Sequence, residues 1–485
     1  MNQRIPVIYW VTIGVAAFVA ILSLILAVFR RDLYQLTYFD PVIGWVGLVL
    51  ALAALGPTLV APNLNDTRAA RVVLAMIVVL GLFQILLIFR GLGAENMPGD
   101  FRIYWTAGQR VYSGYQSPYN ETTLTAPAFP FPTYLIYWLS SLGGYLAVRE
   151  SFAVYTLANG IIWFVCCFVL WREYHIPAGY SVLNSWLIFW LVNSTAYESF
   201  VALGQTTILA FAPIVGALIF FGRNGVGSWF IAGAVVGIAA MVKPQMIVYL
   251  IAVGLLLFVR SQPRRTMLVR LSALIGAGCA VILGTAVSLV LPSGINLDTY
   301  RQFLFEVYPK ITNPQFIAYN SVFGLIKGNA SPVALVVTVL GALGLPPAST
   351  TYSVVSFLGI LLFAFVMLRW ANAGHSLSHY FLLWSFAPLL VTPLTHTYAV
   401  VWVTPILLLL VRNMLIQKRR SEVLILLTLL IGLLRVQDTI FTLFALVAAW
   451  LFALKWFNLN PTENADAIRV RAFAIPVNEI PKEVQ

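Results

Sequence analysis

Apolar runs of about 20 residues recur along the chain, each long enough for a helix to cross a hydrocarbon core about 30 Å thick. The predicted segments are 6–29, 42–60, 72–89, 131–148, 151–171, 180–197, 206–222, 229–242, 244–259, 271–291, 331–347, 352–369, 380–394, 397–412, 422–435 and 438–455. Several fall short of a full span and are interpreted as half-helices or interfacial pieces. We therefore expect an all-α, polytopic integral membrane protein with about 12 to 14 transmembrane helices.

Composition and charge support this class. Of the 485 residues, 60% are hydrophobic and only 9% are charged, whereas a soluble domain carries about 25% charged residues. The net charge of +12 comes from basic residues that cluster at the ends of apolar runs, as at 260–270 and 418–420. This distribution is typical of cytoplasmic loops that follow the positive-inside rule. We expect these loops to contact anionic lipid headgroups and expect no nucleic-acid partner.

The three cysteines, Cys166, Cys167 and Cys279, all lie inside apolar runs. Their surroundings predict small buried hydrophobic side chains. Their spacing indicates neither a metal site nor a disulfide framework. We expect no metal and no cofactor.

Two connections are unusually long and rich in aromatic residues, 90–130 and 292–330. Helix–helix connections usually have about 2–8 residues, so long ones are candidates for function. Arg68 and Arg71 place the 61–71 loop inside, so 90–130 emerges outside; the basic stretch 259–270 places 292–330 outside as well. Both long loops are thus predicted on the extracytoplasmic face.

The charges leave part of the topology open. Arg369 places 369–379 inside, so an odd number of crossings must separate it from 292–330, yet two apolar runs lie between them. We interpret 331–347 as a re-entrant or surface-lying segment, because Pro346 and Pro347 at its end break a helix. The topology of 131–148 stays unresolved.

The first long loop predicts a short amphipathic helix in the membrane interface, with its aromatic residues at the level of the headgroups. One face carries Phe101, Tyr104, Trp105, Gly108, Val111 and Tyr112, and the other carries Arg102, Thr106, Gln109, Arg110 and Ser113. Asp100 stands at the helix start. From the residues alone, Asp100 is either an N-cap or a general base held over a membrane cavity, and capping amides would weaken it as a base.

The stretch Asp100-Phe-x-x-Tyr-Trp-x-Ala-Gly108, followed by Gly114-x-x-x-Pro-Tyr119, resembles the signature of glycosyltransferase family 87. Further matching pieces follow in order, at 129–132, Gly204-Gln205, Ala232-Gly233 with Gly237, 241–244, 319–322 and 392–396. The resemblance runs from about residue 72 to 412. It implies the GT-C fold, with amphipathic interfacial helices in the extracytoplasmic loops, and a mannosyltransferase that uses a polyprenol-phosphate-mannose donor. Two departures stand out: His396 replaces a tryptophan of the family, and Ser321 directly follows Asn320 where the family has a glutamine between them.

Sugar transfer from a polyprenyl phosphate needs no protein acid for the leaving group, so one carboxylate that deprotonates the acceptor hydroxyl suffices for inversion. A retaining mechanism would need a second carboxylate about 5 Å away. The acids on the predicted outer face are Glu95, Asp100, Glu121, Glu198, Asp298 and Glu306. They show no spacing typical of a dyad, and the resemblance also indicates Asp100, so Asp100 is the predicted general base.

Donor and substrate contacts are predicted at several polar and aromatic positions. Lys243 interrupts an apolar stretch at the outer face, where a lysine is either functional or extended toward the headgroups. We predict that Lys243, His396 and Arg102 bind the donor phosphate, although a solvated charge or a structural histidine would look the same. The predicted substrate-binding residues are Tyr104, Trp105, Gln205 and Asn320, with an aromatic membrane belt as the alternative for the two aromatic side chains.

The predicted organisation is an N-terminal transmembrane pair (1–71), a GT-C-like catalytic membrane domain (72–412), a C-terminal transmembrane pair (413–457) and a cytoplasmic tail (458–485). The expected location is the inner (plasma) membrane, with the active site on the extracytoplasmic face. The expected partners are a polyprenyl-phosphate sugar donor, a glycolipid or glycan acceptor and the lipid bilayer. The alternatives are a lipid or sugar transporter or flippase, and a lipid-linked glycan polymerase or ligase. A transporter would favour paired interrupted helices in two related halves, and we find no convincing internal repeat.

Overall fold

The computed structural model describes residues 99–119, 130–173, 204–223, 225–259, 264–307, 309, 331–345, 348–373, 377–392, 399, 402–403, 406–407, 410 and 439–459. Within these ranges every regular element is a helix, so the all-α prediction is confirmed for this part of the chain. The predicted segments 6–29, 42–60, 72–89, 180–197 and 422–435 lie outside the described residues, as do Asn320 and His396.

The helices follow the apolar runs of the sequence. In chain order they are α1 (Gly99–Tyr112), α2 (Pro130–Ser141), α3 (Val148–Glu173), α4 (Thr207–Phe221), α5 (Val226–Val242), α6 (Val248–Leu256), α7 (Arg264–Val290), α8 (Leu297–Gln302), α9 (Pro332–Ala342), α10 (Ser349–Asn372), α11 (Leu377–Trp384), α12 (Ala387–Leu390) and α13 (Thr439–Leu459). A 3₁₀ turn (Pro244–Ile247) joins α5 to α6, and a π turn (Phe303–Val307) follows α8.

Helices α5 and α7 lie side by side and run in the same direction. A Cβ atom at Gly233 would lie 1.7 Å from the Ala273 carbonyl oxygen, and one at Gly237 would lie 2.8 Å from that of Ala277. These glycines, four residues apart, let the two backbones touch, as small residues do between membrane helices. The C-terminal ends of α5 and α7 therefore lie at the same end of the bundle.

The largest hydrophobic cluster is formed around α4, α5, α6, α10 and α11 and is rich in aromatic side chains. The rings of Phe221 and Phe381 stack with centroids 4.0 Å apart, and Trp229 meets both rings edge-on. Such contacts add to the energy of burial and join α4, α5 and α11. They lie at the end of α4 and near the start of α5, away from the helix ends next to Gln205 and Lys243.

In the described part of the chain, two helices, Thr266–Val290 and Ser349–Asn372, are long and apolar enough to cross a membrane. Only 22% of the apolar window of each helix is buried by protein. On α10, the exposed residues recur every three or four positions: Val354, Phe357, Leu358, Leu361 and Phe365. An uncovered apolar stripe of this kind is unfavourable in water and suits a hydrocarbon environment.

Helices α2 and α9 are too short to span a bilayer. They have 12 and 11 residues, which gives lengths of about 18 Å and 16 Å against a hydrocarbon core of about 30 Å. The interpretation of 331–347 as less than a full span agrees with the length of α9. For 131–148, the helix ends at Ser141, before a turn in which Leu142, Gly143 and Gly144 adopt positive φ.

The environment of Cys279 differs from the prediction. Cys166 is buried in α3 as expected, but Cys279 is exposed on α7. It lies outside the stripe of α7 that contacts α5, which contains Ala273, Gly276 and Ala277. The run is apolar all round, so the sequence could not indicate which face the neighbouring helices cover. Of the side chain of Cys167, the structure describes nothing.

Candidate functional site

Helix α1 forms where the sequence predicts an amphipathic helix, and Asp100 is its second residue. An N-cap stands just before the first helical residue, and the helix begins at Gly99. Asp100 therefore belongs to the first helical turn, and whether its carboxylate caps the helix or acts as a base stays a prediction. At this position the helix dipole favours a negative charge.

The aromatic face of α1 packs against protein. Phe101 is fully buried, and its ring lies 5.2 Å from that of Phe152 and 5.1 Å from that of Tyr155. Tyr104 is only 5% exposed. The prediction that this face lies among lipid headgroups is therefore wrong for Phe101 and Tyr104, because α3 and the turn before α4 cover them.

The Gly204-Gln205-Thr206 turn packs directly on the start of α1. Gly204 has a φ of +66°, and a Cβ atom there would lie 2.6 Å from the Cβ of Phe101, so both the conformation and the contact require glycine. The hydroxyl of Tyr155 donates to the Gln205 carbonyl oxygen at 3.1 Å. The hydroxyl of Thr206 donates to that of Tyr104 at 3.3 Å. These bonds hold Gln205 beside the first turns of α1.

Lys243 lies at the junction between α5 and the 3₁₀ turn, at the same end of the bundle as Gln205. Its backbone is extended, with φ −135° and ψ 102°, as is usual before a proline such as Pro244. Its Nζ donates to Gln205 Oε1 over 3.5 Å, and the residue is half-buried. The fold thus brings Gln205 and Lys243 together next to the helix start that carries Asp100.

Other predicted site residues have different surroundings. Trp105 donates from Nε1 to Ser151 Oγ at 3.3 Å and meets the ring of Tyr137 edge-on. Arg102 is exposed on the opposite face of α1. Because Tyr104 is buried, little of its ring is left for a sugar, so packing accounts for Tyr104 and for much of Trp105.

A polar cleft of about 430 Å³ lies where the two long connections meet. The backbone N–H of Gly294 donates to the Val111 carbonyl oxygen at 3.0 Å, and the hydroxyl of Ser117 donates to Gln302 Oε1 at 2.6 Å. This contact agrees with the prediction that both connections lie on one face. The cleft itself is not predicted from the sequence, although the shared face of the two long loops is a signal that points to it.

Two buried tyrosines, Tyr119 and Tyr300, lie close in sequence to lining residues of the cleft. The ring of Tyr119 lies 5.8 Å from that of Phe303, and the hydroxyls of Tyr300 and Ser288 are hydrogen-bonded at 2.6 Å. Burial raises the pKa of both Tyr119 and Tyr300, so both phenols stay neutral at physiological pH. The end of α7 is thereby tied to the loop that follows it.

Comparison with protein-family models, with curated proteins and with solved structures finds no match for the chain. The resemblance to glycosyltransferase family 87 therefore stays a prediction from the residues quoted above. The structure adds the contacts of Gln205 and Lys243 beside the start of α1.

Proposed function

We propose that the protein is a membrane glycosyltransferase, which transfers a hexose from a polyprenyl-phosphate donor to an extracytoplasmic glycolipid or glycan. The observation that carries the proposal is the convergence at one end of the bundle. There, the turn that holds Gln205 packs on the first turn of α1, which contains Asp100, and the Lys243 ammonium group lies 3.5 Å from the Gln205 amide oxygen. The resemblance favours mannose as the sugar.

In this proposal, Lys243 binds the donor phosphate. A half-buried ammonium group stabilises the charge that develops on the phosphate as the bond to the sugar breaks. Gln205 orients this ammonium group, because its own backbone is held by Tyr155 and its amide oxygen accepts from Nζ. The phosphate leaves as an anion, so no protein acid is required on that side.

Asp100 acts as the general base. It takes the proton of the acceptor hydroxyl while the hydroxyl oxygen attacks the anomeric carbon from the face opposite the phosphate, which inverts the configuration. The first turn of a helix is a rigid support for such a carboxylate. The acceptor oxygen forms one bond, the donor carbon–oxygen bond breaks, and the proton ends on the aspartate.

The lipid part of the donor implies a membrane setting, which the two helices able to cross a bilayer support. The uncovered apolar stripe of α10 offers the kind of surface that lipid chains contact. We propose a multi-pass arrangement in the plasma membrane, with the end of the bundle that carries Lys243 on the extracytoplasmic side.

The decisive test replaces Asp100 by asparagine, which keeps the shape and removes the base. Purified protein in lipid nanodiscs is given radiolabelled polyprenyl-phosphate mannose and a membrane extract as acceptor, and Asp100→Asn should lower the transfer rate about 100-fold or more. The control is Glu150→Gln, an exposed acid in the first turn of α3, which should leave the rate unchanged. A transporter would move the donor lipid equally well with either variant, and full transfer activity in Asp100→Asn would refute the proposed mechanism.

A further inference from the structure

The polar cleft between the two long connections has a lining that the proposed transfer step does not use. Its rim carries the charged residues Asp298, Arg301 and Glu306, all exposed. Among the described residues, these three side chains form no ion pair. Ser117 and Gln302 add a hydroxyl and an amide, and Tyr115 adds an aromatic ring.

The walls of the cleft are fixed by contacts between chain segments far apart in sequence. A Cβ atom at Gly294 would lie 2.3 Å from the backbone nitrogen of Gln116, so the two connections touch through their backbones. The side chain of Asn296 caps α8 by accepting from the Thr299 N–H at 2.9 Å, and the Thr299 side chain bonds back to the Asn296 N–H. The cleft is therefore preformed, as small-molecule sites usually are.

The charges of the cleft indicate the kind of ligand. Two carboxylates and one guanidinium give the cleft a small net negative charge, which disfavours the binding of a phosphate or another anion. Carboxylate, amide and guanidinium groups together can both accept from and donate to neighbouring hydroxyls. A neutral molecule rich in hydroxyl groups matches this set.

Tyr115 adds a second, independent feature. It has a φ of +48°, which is unusual for a bulky residue, and its side chain is 64% exposed at the cleft. Backbone strain of this kind persists where the surrounding structure enforces it, and it is concentrated at binding sites. An exposed aromatic face beside polar groups can cover the apolar face of a sugar ring while those groups bind its hydroxyls.

The cleft is remote from the proposed centre of transfer. Asp100 lies at the start of α1 and Tyr115 lies three residues beyond its end, and the 14 residues of α1 span about 20 Å. A ligand that reaches both must be several sugar units long. We propose that the cleft binds a neutral oligosaccharide stretch of the acceptor, remote from the hydroxyl group that reacts; its role in the reaction rests on the proposed function, whereas binding itself does not.

Binding is measured with the full chain in nanodiscs, carrying Asp100→Asn so that no transfer takes place. The probes are immobilised linear oligosaccharides of mannose, glucose, galactose and arabinose, with inorganic phosphate as competitor. At least one oligosaccharide should bind, and Tyr115→Ala and Glu306→Gln should each weaken binding about tenfold. The matched controls are Tyr145→Ala, a tyrosine that is 91% exposed and outside the cleft, and Glu150→Gln.

The proposal is overturned if none of these oligosaccharides binds, if phosphate displaces the bound one, or if the cleft variants bind as tightly as the controls. Circular dichroism and gel filtration of each variant exclude loss of binding through unfolding.

The two proposals can be refuted separately. Binding without any transfer by the unmodified chain would refute the glycosyltransferase, whereas Asp100-dependent transfer that is insensitive to the cleft variants on long acceptors would refute the cleft. On active enzyme, we expect the cleft variants to raise KM for long acceptors and leave kcat unchanged.

Discussion

At the scale of single residues, Lys243 is the cation with the most informative surroundings. A lysine inside an apolar stretch is costly when fully buried, but Lys243 is half-buried and its ammonium group has an amide oxygen at 3.5 Å. Its backbone is held between α5 and Pro244, so the side chain starts from a fixed point. The proposed phosphate binding would account for a side chain that starts from a fixed backbone position and has, among the described residues, one weak hydrogen-bond partner.

We expect Lys243→Met to lower kcat/KM for the lipid-phosphate donor at least tenfold, because it removes the positive charge and keeps the side-chain volume. Lys243→Arg should restore part of the loss, since the charge is kept but its position changes. The measurement is initial-rate kinetics with varied donor. Lys455→Met, which removes an exposed lysine at the end of α13, serves as the control. Equal effects of Lys243→Met and Lys455→Met would rule out the phosphate role.

The sequence predicted some residues of the candidate site and not others, for physical reasons. Gln205 and Lys243 could be singled out as polar residues at the ends of apolar runs. Their contact could not, because 38 positions separate them and helix packing brings them together. The sequence predicts Tyr104 as a substrate contact, but the structure buries it in protein. Sequence alone does not separate these cases, because an aromatic residue on an amphipathic helix follows the same pattern whether lipid, sugar or protein covers it.

At the scale of elements, the contact between α5 and α7 depends on particular glycines. A Cβ atom at Gly276 would lie 2.0 Å from the Phe230 carbonyl oxygen, so even alanine forces the helices apart. Gly278, two positions along the same helix, has nothing within 4 Å of an added Cβ atom. The two glycines form a matched pair in one helix.

We expect Gly276→Ala to lower the free energy of unfolding by about 1–3 kcal/mol through overpacking. Gly278→Ala should leave it unchanged or raise it slightly, because alanine favours a helix. Thermal unfolding in detergent, followed by circular dichroism, measures both. Similar stabilities for the two variants would mean that α5 and α7 do not touch as described.

The sequence predicted where helices lie better than where they break. Segments 229–242 and 352–369 correspond to α5 and α10 with small shifts at the ends. The run 244–259 instead divides into a 3₁₀ turn and a short helix, and 380–394 breaks between α11 and α12. Runs that are apolar on every side have no hydrophobic period, so hydropathy alone does not locate such breaks.

At the scale of the whole molecule, the direction of the helices links the charge pattern to the site. Helices α5 and α7 run in parallel, so Lys243 and the loop after α7 lie at one end of the bundle, and Arg264 and Arg265 at the start of α7 lie at the other. Under the positive-inside rule, we expect the arginine end to face the cytoplasm.

This arrangement predicts the labelling of single cysteines in a chain whose three native cysteines are replaced by alanine. In intact cells, a membrane-impermeant maleimide should label Ser113→Cys and Leu297→Cys, both exposed near the cleft. It should label Asn372→Cys, at the end of α10 next to Arg369, only after permeabilisation. The reverse pattern would put the start of α1 on the cytoplasmic side and end the case for an extracytoplasmic transferase.

The hydrogen bond from Ser117 to Gln302 joins residues that are 185 positions apart. Contacts so distant in sequence form only after much of the chain has been synthesised. The Gln205–Lys243 pair can form before the ribosome has made α7 and α8, but the polar cleft cannot. During biosynthesis, we therefore expect the proposed transfer centre to form first and the cleft last, so that the proposed selection of the acceptor would begin only when the second long loop has folded.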